Sequence, residues 1–330
     1  MGELRKFLFE GLPVRGMLVR LDDAWREVLA RRAAADGGAF ASEVRALLGE
    51  MTAAAVLLQA GIEFDGTLVL QVFGDGPVRL AVVEVQSDLS FRTTAKVVGE
   101  VRPGAGLEAL LNAHGQGRCA ITLDPGEGAP HRQPYQGVVP LARSAGDGRL
   151  EPLRSVQEVL EHYMRQSEQL DTRFVLAADD ERAAGLLIQR LPVQGGRHFE
   201  VRRALRQGDE ALGAEAFERI ALVAATLTRA ELLALPPEQV LHRLFWQETL
   251  RLFAPDPQAA PRFACRCSRE RVRAMLRSLG RAESDSLIAE RGLVEVACEF
   301  CGQAYRFDAV DVGEMFTPGR DQPPASAAVQ

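Results

Sequence analysis

The residues of this sequence best suited to chemistry are four cysteines near its C-terminal end. They form a Cys-x-Cys pair, Cys265 and Cys267, and a Cys-x-x-Cys pair, Cys298 and Cys301. Thiolates in two close pairs are typical ligands of tetrahedral Zn²⁺, which lies about 2.3 Å from each sulfur. The spacing therefore predicts that these cysteines bind one zinc ion per chain in the reduced state.

Two short helices and a hairpin are predicted to position the two pairs. Ser268 can cap a helix that ends at Gly280, and a second helix is predicted near Asp285–Glu290. The second cysteine pair lies on a predicted hairpin over 293–307, where Gly302 can adopt a positive φ. A unit of this size has a core worth at most about 3–5 kcal/mol, whereas zinc binding contributes roughly 10–16 kcal/mol in finger-like peptides. Loss of the metal is therefore expected to unfold the unit.

The same sulfurs could also sense oxidants. Zinc and the neighbouring arginines, Arg266, Arg269 and Arg271, are expected to favour the thiolate, which is the form that oxidants attack. Sulfurs that are neighbours in the sequence are the natural disulfide partners, which would give Cys265–Cys267 and Cys298–Cys301, and a disulfide is a far poorer zinc ligand.

Spacing alone leaves other functions open. It favours a permanently closed structural zinc site, and it allows a redox switch, a thiol–disulfide oxidoreductase or a zinc-ribbon module that binds nucleic acid or a translation partner. An oxidoreductase is disfavoured because the Cys-x-x-Cys pair lies on a predicted hairpin rather than at a helix start in a βαβ unit. Nucleic-acid binding is disfavoured because the sequence shows no aromatic stacking platform with interleaved arginines.

The N-terminal part of the chain predicts an α+β domain of antiparallel sheet with helices. Periodicity predicts a helix over 21–33 and a longer one from Ser42, as its cap, to Leu58. A β-hairpin is predicted over 64–85, with its turn at Gly74-Asp75-Gly76. The other predicted elements are strands at 119–123, 135–141 and 186–191 and a helix at 156–169.

The middle of the chain predicts short amphipathic helices and almost no strand. Thr228 and Glu231 form a capping box, and Pro237 begins a helix that carries Leu244 and Phe245 on its apolar side. Short helices depend on tertiary packing for their stability. We therefore expect this segment to pack against another part of the protein.

These patterns divide the chain into four predicted segments. They are an N-terminal α+β domain at 1–194, a metastable helical linker at 195–254, a small C-terminal Cys₄ zinc-binding domain at 255–316 and a disordered tail at 317–330.

Composition limits the compartment and the partners. The 330 residues carry a net charge of −6, which argues against a generally basic nucleic-acid-binding surface. No apolar stretch reaches the roughly 18 residues that span a bilayer, and charges at Glu3, Arg5, Lys6 and Glu10 interrupt any signal-peptide pattern. The expected compartment is the cytoplasm, where clustered cysteines indicate metal or redox chemistry.

With these motifs in place, the sequence resembles the heat shock protein 33 family of redox-regulated chaperones. The resemblance covers nearly the whole chain, and the Cys-x-Cys and Cys-x-x-Cys pairs together are its most specific part. It is carried by RKFLFEGLPVRG, VRALLGEMTAAAVLL, FDGTLVLQVFGDGP, YQGVVPL, YMRQSEQLDTR, AAGLLIQRLP, ELLALPPEQVLHRLF, FACRCSRERV and CEFCGQAYRF.

The resemblance implies an ATP-independent holdase rather than an enzyme. In the reduced state the zinc domain would be folded and the linker docked on the N-terminal domain. Oxidants would form Cys265–Cys267 and Cys298–Cys301, release zinc and unfold the linker, so that apolar surface binds unfolding client proteins and prevents aggregation during oxidative stress. The activated form is expected to be a homodimer. Cys119 matches no ligand of the family and is expected to be a buried, inert thiol.

Overall fold

Two β-sheets and the helices packed on them account for most of the N-terminal part of the chain. A computed structural model describes residues 2–126, 133–146, 148–191, 209–256 and 259–317. The chain divides into two compact units, Met1–Ala264 and Cys265–Gln330. The predicted α+β class is confirmed. The four predicted segment boundaries stay predictions, and residues 195–208 of the linker and all of the tail except Thr317 lie outside the described residues.

The strands are β1 (Glu3–Phe9), β2 (Val14–Leu21), β3 (Thr67–Phe73), β4 (Val78–Gln86), β5 (Ser90–Val97), β6 (Arg118–Asp124), β7 (Tyr135–Pro140), β8 (Ala142–Ser144), β9 (Leu150–Pro152), β10 (Thr172–Ala178), β11 (Ala183–Arg190), β12 (Leu250–Leu252), β13 (Arg262–Phe263), β14 (Val294–Ala297) and β15 (Ala304–Phe307). The helices are α1 (Asp23–Ala34), α2 (Ser42–Gly61), α3 (Leu107–Leu111), α4 (Val156–Tyr163), α5 (Asp209–Ala224), α6 (Arg229–Ala234), α7 (Pro237–Phe245), α8 (Arg269–Leu279), α9 (Arg281–Arg291) and α10 (Ala309–Met315). A π-helix, Met164–Glu168, follows α4. Within the described ranges, no helix is both long and apolar enough to cross a membrane.

Helix α2 packs between the two sheets of the first unit. The five-stranded sheet has the order β10-β11-β2-β1-β12, and the six-stranded sheet has the order β13-β5-β4-β3-β6-β7. The helix contacts strands of both sheets and is buried from Val44 to Gln59 except at Arg45, Ala46 and Glu50. A helix that is apolar on nearly all sides is stable only inside a protein, which explains its place in the main core.

The five-stranded sheet buries both of its faces. Along β2, Met17, Val19 and Leu21 belong to the main core around α2, whereas Leu18 belongs to a second apolar cluster. Successive side chains of a strand point to opposite faces, so the second cluster lies on the far side of the sheet. There the sheet is covered by α5, α6 and α7. The middle segment therefore packs against another part of the protein, as its short amphipathic helices predict.

Several local predictions differ from the structure. Ala41, not Ser42, precedes α2 as its N-cap, and the Ser42 hydroxyl contacts Glu43 instead. The helix predicted over 156–169 leaves α-helical geometry after Tyr163 and continues as the π-helix. The middle segment, predicted as almost strand-free, contributes β12 to the edge of the five-stranded sheet beside β1.

The second unit follows its prediction closely. α8 has Ser268 as its N-cap and ends at Gly280, α9 ends at Gly292 with a φ of 75°, and β14 and β15 form the predicted hairpin. Its core is small. Among residues 265–317, the buried apolar side chains that cluster together are Leu276, Val294, Phe307, Val312 and Met315.

Candidate metal centre

The four predicted ligands converge on one point of the second unit. Cys265 and Cys267 immediately precede α8, and Cys298 and Cys301 lie in the turn between β14 and β15. Their sulfurs all lie within 4.8 Å of one another. The Sγ atoms of Cys265 and Cys298 are 3.6 Å apart, and those of Cys267 and Cys301 are 3.4 Å apart. Four sulfurs at about 2.3 Å from a tetrahedral ion would be about 3.8 Å apart, so the donor set fits one metal ion.

The turn around Cys298 directs backbone N–H groups toward sulfur. The amides of Phe300 and Cys301 donate to Cys298 Sγ, and the amide of Gln303 donates to Cys301 Sγ. Gly302 closes the turn with a φ of 72°, and its N–H donates to the Cys298 carbonyl at 2.8 Å. Such hydrogen bonds favour the thiolate and orient the ligand, as a metal site requires.

The thiols differ in acidity. Burial opposes ionisation of Cys265, but hydrogen bonds from the Cys267 amide and from the other three thiols lower the pKa of Cys265 to about 7. Burial raises the pKa of Cys298 and of Cys301, and the Cys265 sulfur adds to the effect. Without a metal, Cys265 therefore supplies a thiolate more readily than Cys298 or Cys301.

Tyr305, on β15, is a contact that the sequence reasoning missed. Its hydroxyl lies 3.1 Å from Cys267 Sγ and donates a hydrogen bond to that sulfur. The contact also raises the pKa of Tyr305, chiefly because the protonated hydroxyl donates this hydrogen bond to the sulfur. Its position in the strand that follows the Cys-x-x-Cys pair is the feature of the sequence that could have indicated this contact.

Arg269, expected to favour the thiolates, has another role. Its guanidinium bonds Asp311 at 2.7 Å and lies 4.2 Å from the centre of the Phe307 ring. These contacts fasten the start of α8 to the hairpin and to α10, so Arg269 supports the fold of the unit.

Cys119 lies outside the cluster. It is 0% exposed in β6, where it pairs with Val72 of β3 and Val139 of β7. Burial raises the pKa of Cys119 to about 12. The side chain is therefore the buried thiol that the sequence predicts.

A second feature of functional interest is the apolar surface beneath the middle helices. We call it the covered face, and its residues on the five-stranded sheet are Phe7, Phe9, Val14, Leu18, Ala177, Ala184, Leu186 and Ile188. Phe245 of α7 packs on it with ring centroids 6.1 Å from Phe7 and 5.0 Å from Phe9. The covering helices contribute Phe217, Ile220, Leu232, Val240, Leu241 and Leu244 to the same cluster.

Polar contacts also hold these helices on the sheet. Arg229 pairs with Glu50 of α2 at 2.9 Å, and Arg20 donates to the Leu235 carbonyl at 3.0 Å. Burial raises the pKa of Glu50, and Arg229 only partly offsets that effect. Ionised Glu50 therefore carries a desolvation cost where the middle helices cover it.

Comparison with known proteins assigns the family. The sequence model described as Hsp33 protein matches residues 2–308. A 33 kDa chaperonin of Chromobacterium violaceum is 43% identical over 95% of this chain and 93% of that protein. One of Methylobacillus flagellatus is 40% identical over 96% of this chain and 97% of that protein.

A solved structure shares the fold. The crystal structure of the 33 kDa chaperonin (Heat shock protein 33 homolog) of Thermotoga maritima matches with a TM-score of 0.70 at 21% identity, covering 94% of this chain and 97% of that chain. The fold agrees with the sequence comparisons. Because the family model matches residues 2–308 and two relatives are 40% and 43% identical over almost the full length, the chain belongs to the Hsp33 family.

Proposed function

We propose that this protein is an ATP-independent holdase of the cytoplasm that oxidation activates. In the reduced state, Cys265, Cys267, Cys298 and Cys301 hold one Zn²⁺ and the covered face is closed. After oxidation, the covered face binds unfolding client proteins. The observation that carries the proposal is that one chain has both a four-sulfur site in a core-poor unit and a large apolar face that the middle helices cover.

Zinc is the metal that the donor set supports best. Four cysteines without carboxylate or histidine ligands form a soft, tetrahedral site, which is typical of structural zinc. When bound, the ion would supply the folding free energy that the small core of this unit lacks.

The proposed oxidation converts ligands into disulfides. One peroxide molecule accepts two electrons from two thiolates and two protons from solvent, so one S–S bond forms and two waters leave. We propose the pairs Cys265–Cys267 and Cys298–Cys301. The cross-pair sulfur separations, 3.6 Å for Cys265–Cys298 and 3.4 Å for Cys267–Cys301, are close to those expected of four ligands around one ion, so the pairing is proposed from the closeness of the cysteines in sequence.

Unfolding of the second unit would then release the middle helices. These helices are short, and their apolar sides need the sheet. Once they leave, the covered face presents contiguous aromatic and aliphatic side chains to water, which is the chemistry that recognises unfolded polypeptides. Order-to-disorder transitions of this kind are an established class of switch. A dimer of the activated form would bury part of the same surface.

The structure disfavours the oxidoreductase alternative. Cys298 and Cys301 lie between two antiparallel strands, β14 and β15, rather than at the start of a helix. The thioredoxin-like motif has its cysteines at a helix start, where the helix end stabilises a thiolate.

Replacement of one ligand tests the proposal. Cys298→Ser should lose zinc and suppress aggregation of a heat-unfolded client without oxidant and without nucleotide. Cys119→Ala removes a cysteine outside the cluster and should keep both zinc and the requirement for oxidant. A zinc-free Cys298→Ser protein that stays inactive while the middle helices are released would refute the proposal.

A further inference from the structure

The residues just before Cys265 form an edge of the six-stranded sheet. β13 pairs with β5 in parallel, with Phe263 opposite Phe91, whereas the other paired strands of the described chain are antiparallel. Ala264 follows β13, and Cys265 is the next residue. The edge strand therefore ends where the metal site begins.

Alternate amides of this segment bond to β5 and to the residue just before it. The N–H of Arg262 donates to the Leu89 carbonyl at 3.4 Å, and the N–H of Ala264 donates to the Phe91 carbonyl at 2.9 Å. Because N–H groups of successive strand residues point to opposite sides, the Phe263 amide between them points away from β5.

Side chains of the segment add specific contacts. The Arg31 guanidinium lies 5.1 Å from the centre of the Phe263 ring, and Arg262 forms an ion pair with Asp88. Pro261 is buried. The largely apolar hexapeptide 259–264 has the sequence Ala-Ala-Pro-Arg-Phe-Ala. Its last three residues run along the edge, and Ala259 lies in a 3₁₀ turn before them.

The cover is short. β13 has 2 residues and β5 has 8, and no other strand among the described residues pairs with this side of β5. An open strand edge offers N–H and C=O groups in the register that an added strand needs, and it is a recognised mode of peptide binding.

The segment is held in place from both ends. On one side, the Phe253 amide donates to the Lys6 carbonyl at 2.9 Å, and on the other side Cys265 belongs to the sulfur cluster. If both flanks unfold, the segment is left with its own contacts, among them the hydrogen bond from the Gly2 amide to the Pro261 carbonyl at 2.9 Å, and its effective concentration at β5 falls. A competing strand then gains access.

We propose that the outer edge of β5 binds extended apolar segments of client polypeptides, and that residues 259–264 occupy this edge until the flanking segments unfold. The release step rests on the proposed function. The occupying segment defines the preferred chemistry: an extended backbone, an aromatic side chain opposite Phe91 and a cation near Asp88.

A labelled peptide of the sequence Ala-Ala-Pro-Arg-Phe-Ala tests the edge, with fluorescence anisotropy measured on the full-length protein. The oxidised, zinc-free protein should bind it at least about tenfold more tightly than the reduced, zinc-loaded protein. N-methylation of the arginine or of the final alanine removes a donor to β5 and should weaken binding about tenfold. N-methylation of the phenylalanine is the matched control and should leave the affinity within about twofold, because that amide points away from β5.

Aggregation suppression is measured on the same samples, so the two ideas can fail separately. If oxidised protein suppresses aggregation but the three N-methylated peptides bind alike, or the parent peptide does not bind, the edge proposal is wrong and the proposed function stands. If the parent peptide binds chelator-treated protein with the expected positional pattern but oxidised protein never suppresses aggregation, the edge stands and the holdase function fails. If the peptide dissociates dimers without reducing client capture, a second copy is the occupant and the client proposal is overturned.

Discussion

Phe245→Ala should activate the protein without oxidation. The Phe245 side chain, at the end of α7, is 3% exposed. It packs on the covered face with an edge-on contact to Phe9. Truncating a buried phenylalanine to alanine costs about 3–5 kcal/mol. Because each 1.4 kcal/mol is a factor of ten in an equilibrium constant, a loss of about 3 kcal/mol should raise the population with released helices about a hundredfold.

The assay uses reduced, zinc-loaded protein. Hydrogen exchange over 209–252 reports release of the middle helices, aggregation of a heat-unfolded client reports activity, and bound zinc is measured in parallel. Phe245→Ala should show faster exchange and some suppression of aggregation with zinc still bound. Trp246→Ala is the control. The Trp246 side chain, next to Phe245 in sequence, is 67% exposed, so its loss should change neither the hydrogen exchange nor the suppression of aggregation.

Two results would refute this reasoning. Unchanged protection of the helices in Phe245→Ala would mean that apolar packing does not hold them on the sheet. Faster exchange without any suppression of aggregation would mean that the covered face does not bind clients.

Three further predictions concern the metal site, the buried Cys119 thiol and the docking of the helices. Tyr305→Phe removes the hydrogen bond to Cys267 Sγ and should weaken zinc affinity about 10–100-fold in a chelator competition; unchanged affinity would assign the hydroxyl no role. Cys119, whose pKa burial raises to about 12, should resist alkylation in native protein and react only in denaturant, as peptide mass mapping would show. Burial raises the pKa of Glu50 above 4.5, so wild type should lose stability relative to Glu50→Gln as pH rises through the unfolded value toward the raised folded value. Parallel melting-temperature profiles across that pH range would contradict the last prediction.

Local patterns identified most elements of the fold. The hairpin of β3 and β4, helix α2 and the helix ends at Gly280 and Gly292 follow from periodicity and from glycine positions, which act over a few residues. The five-stranded sheet could not be predicted in this way, because β1 pairs with β12, far along the chain. β12 has 3 residues, too few to show an alternating pattern.

The clustering of the four cysteines was predictable because their spacing in two close pairs is typical of a metal site. The contact of Tyr305 with Cys267 depends on how the hairpin faces the start of α8, which sequence spacing does not specify. The contacts of Arg269 were missed for a related reason. Proximity in sequence placed it beside the sulfurs, whereas the fold offers Asp311 and the Phe307 ring as better partners.

The most direct test follows zinc, structure and activity together through a peroxide series on full-length protein at mild heat. Zinc release, loss of hydrogen-exchange protection over 209–252 and suppression of client aggregation should rise together, with mass mapping showing Cys265–Cys267 and Cys298–Cys301. Full activity in protein that still holds its zinc, or complete zinc loss with the middle helices still protected, would contradict the account.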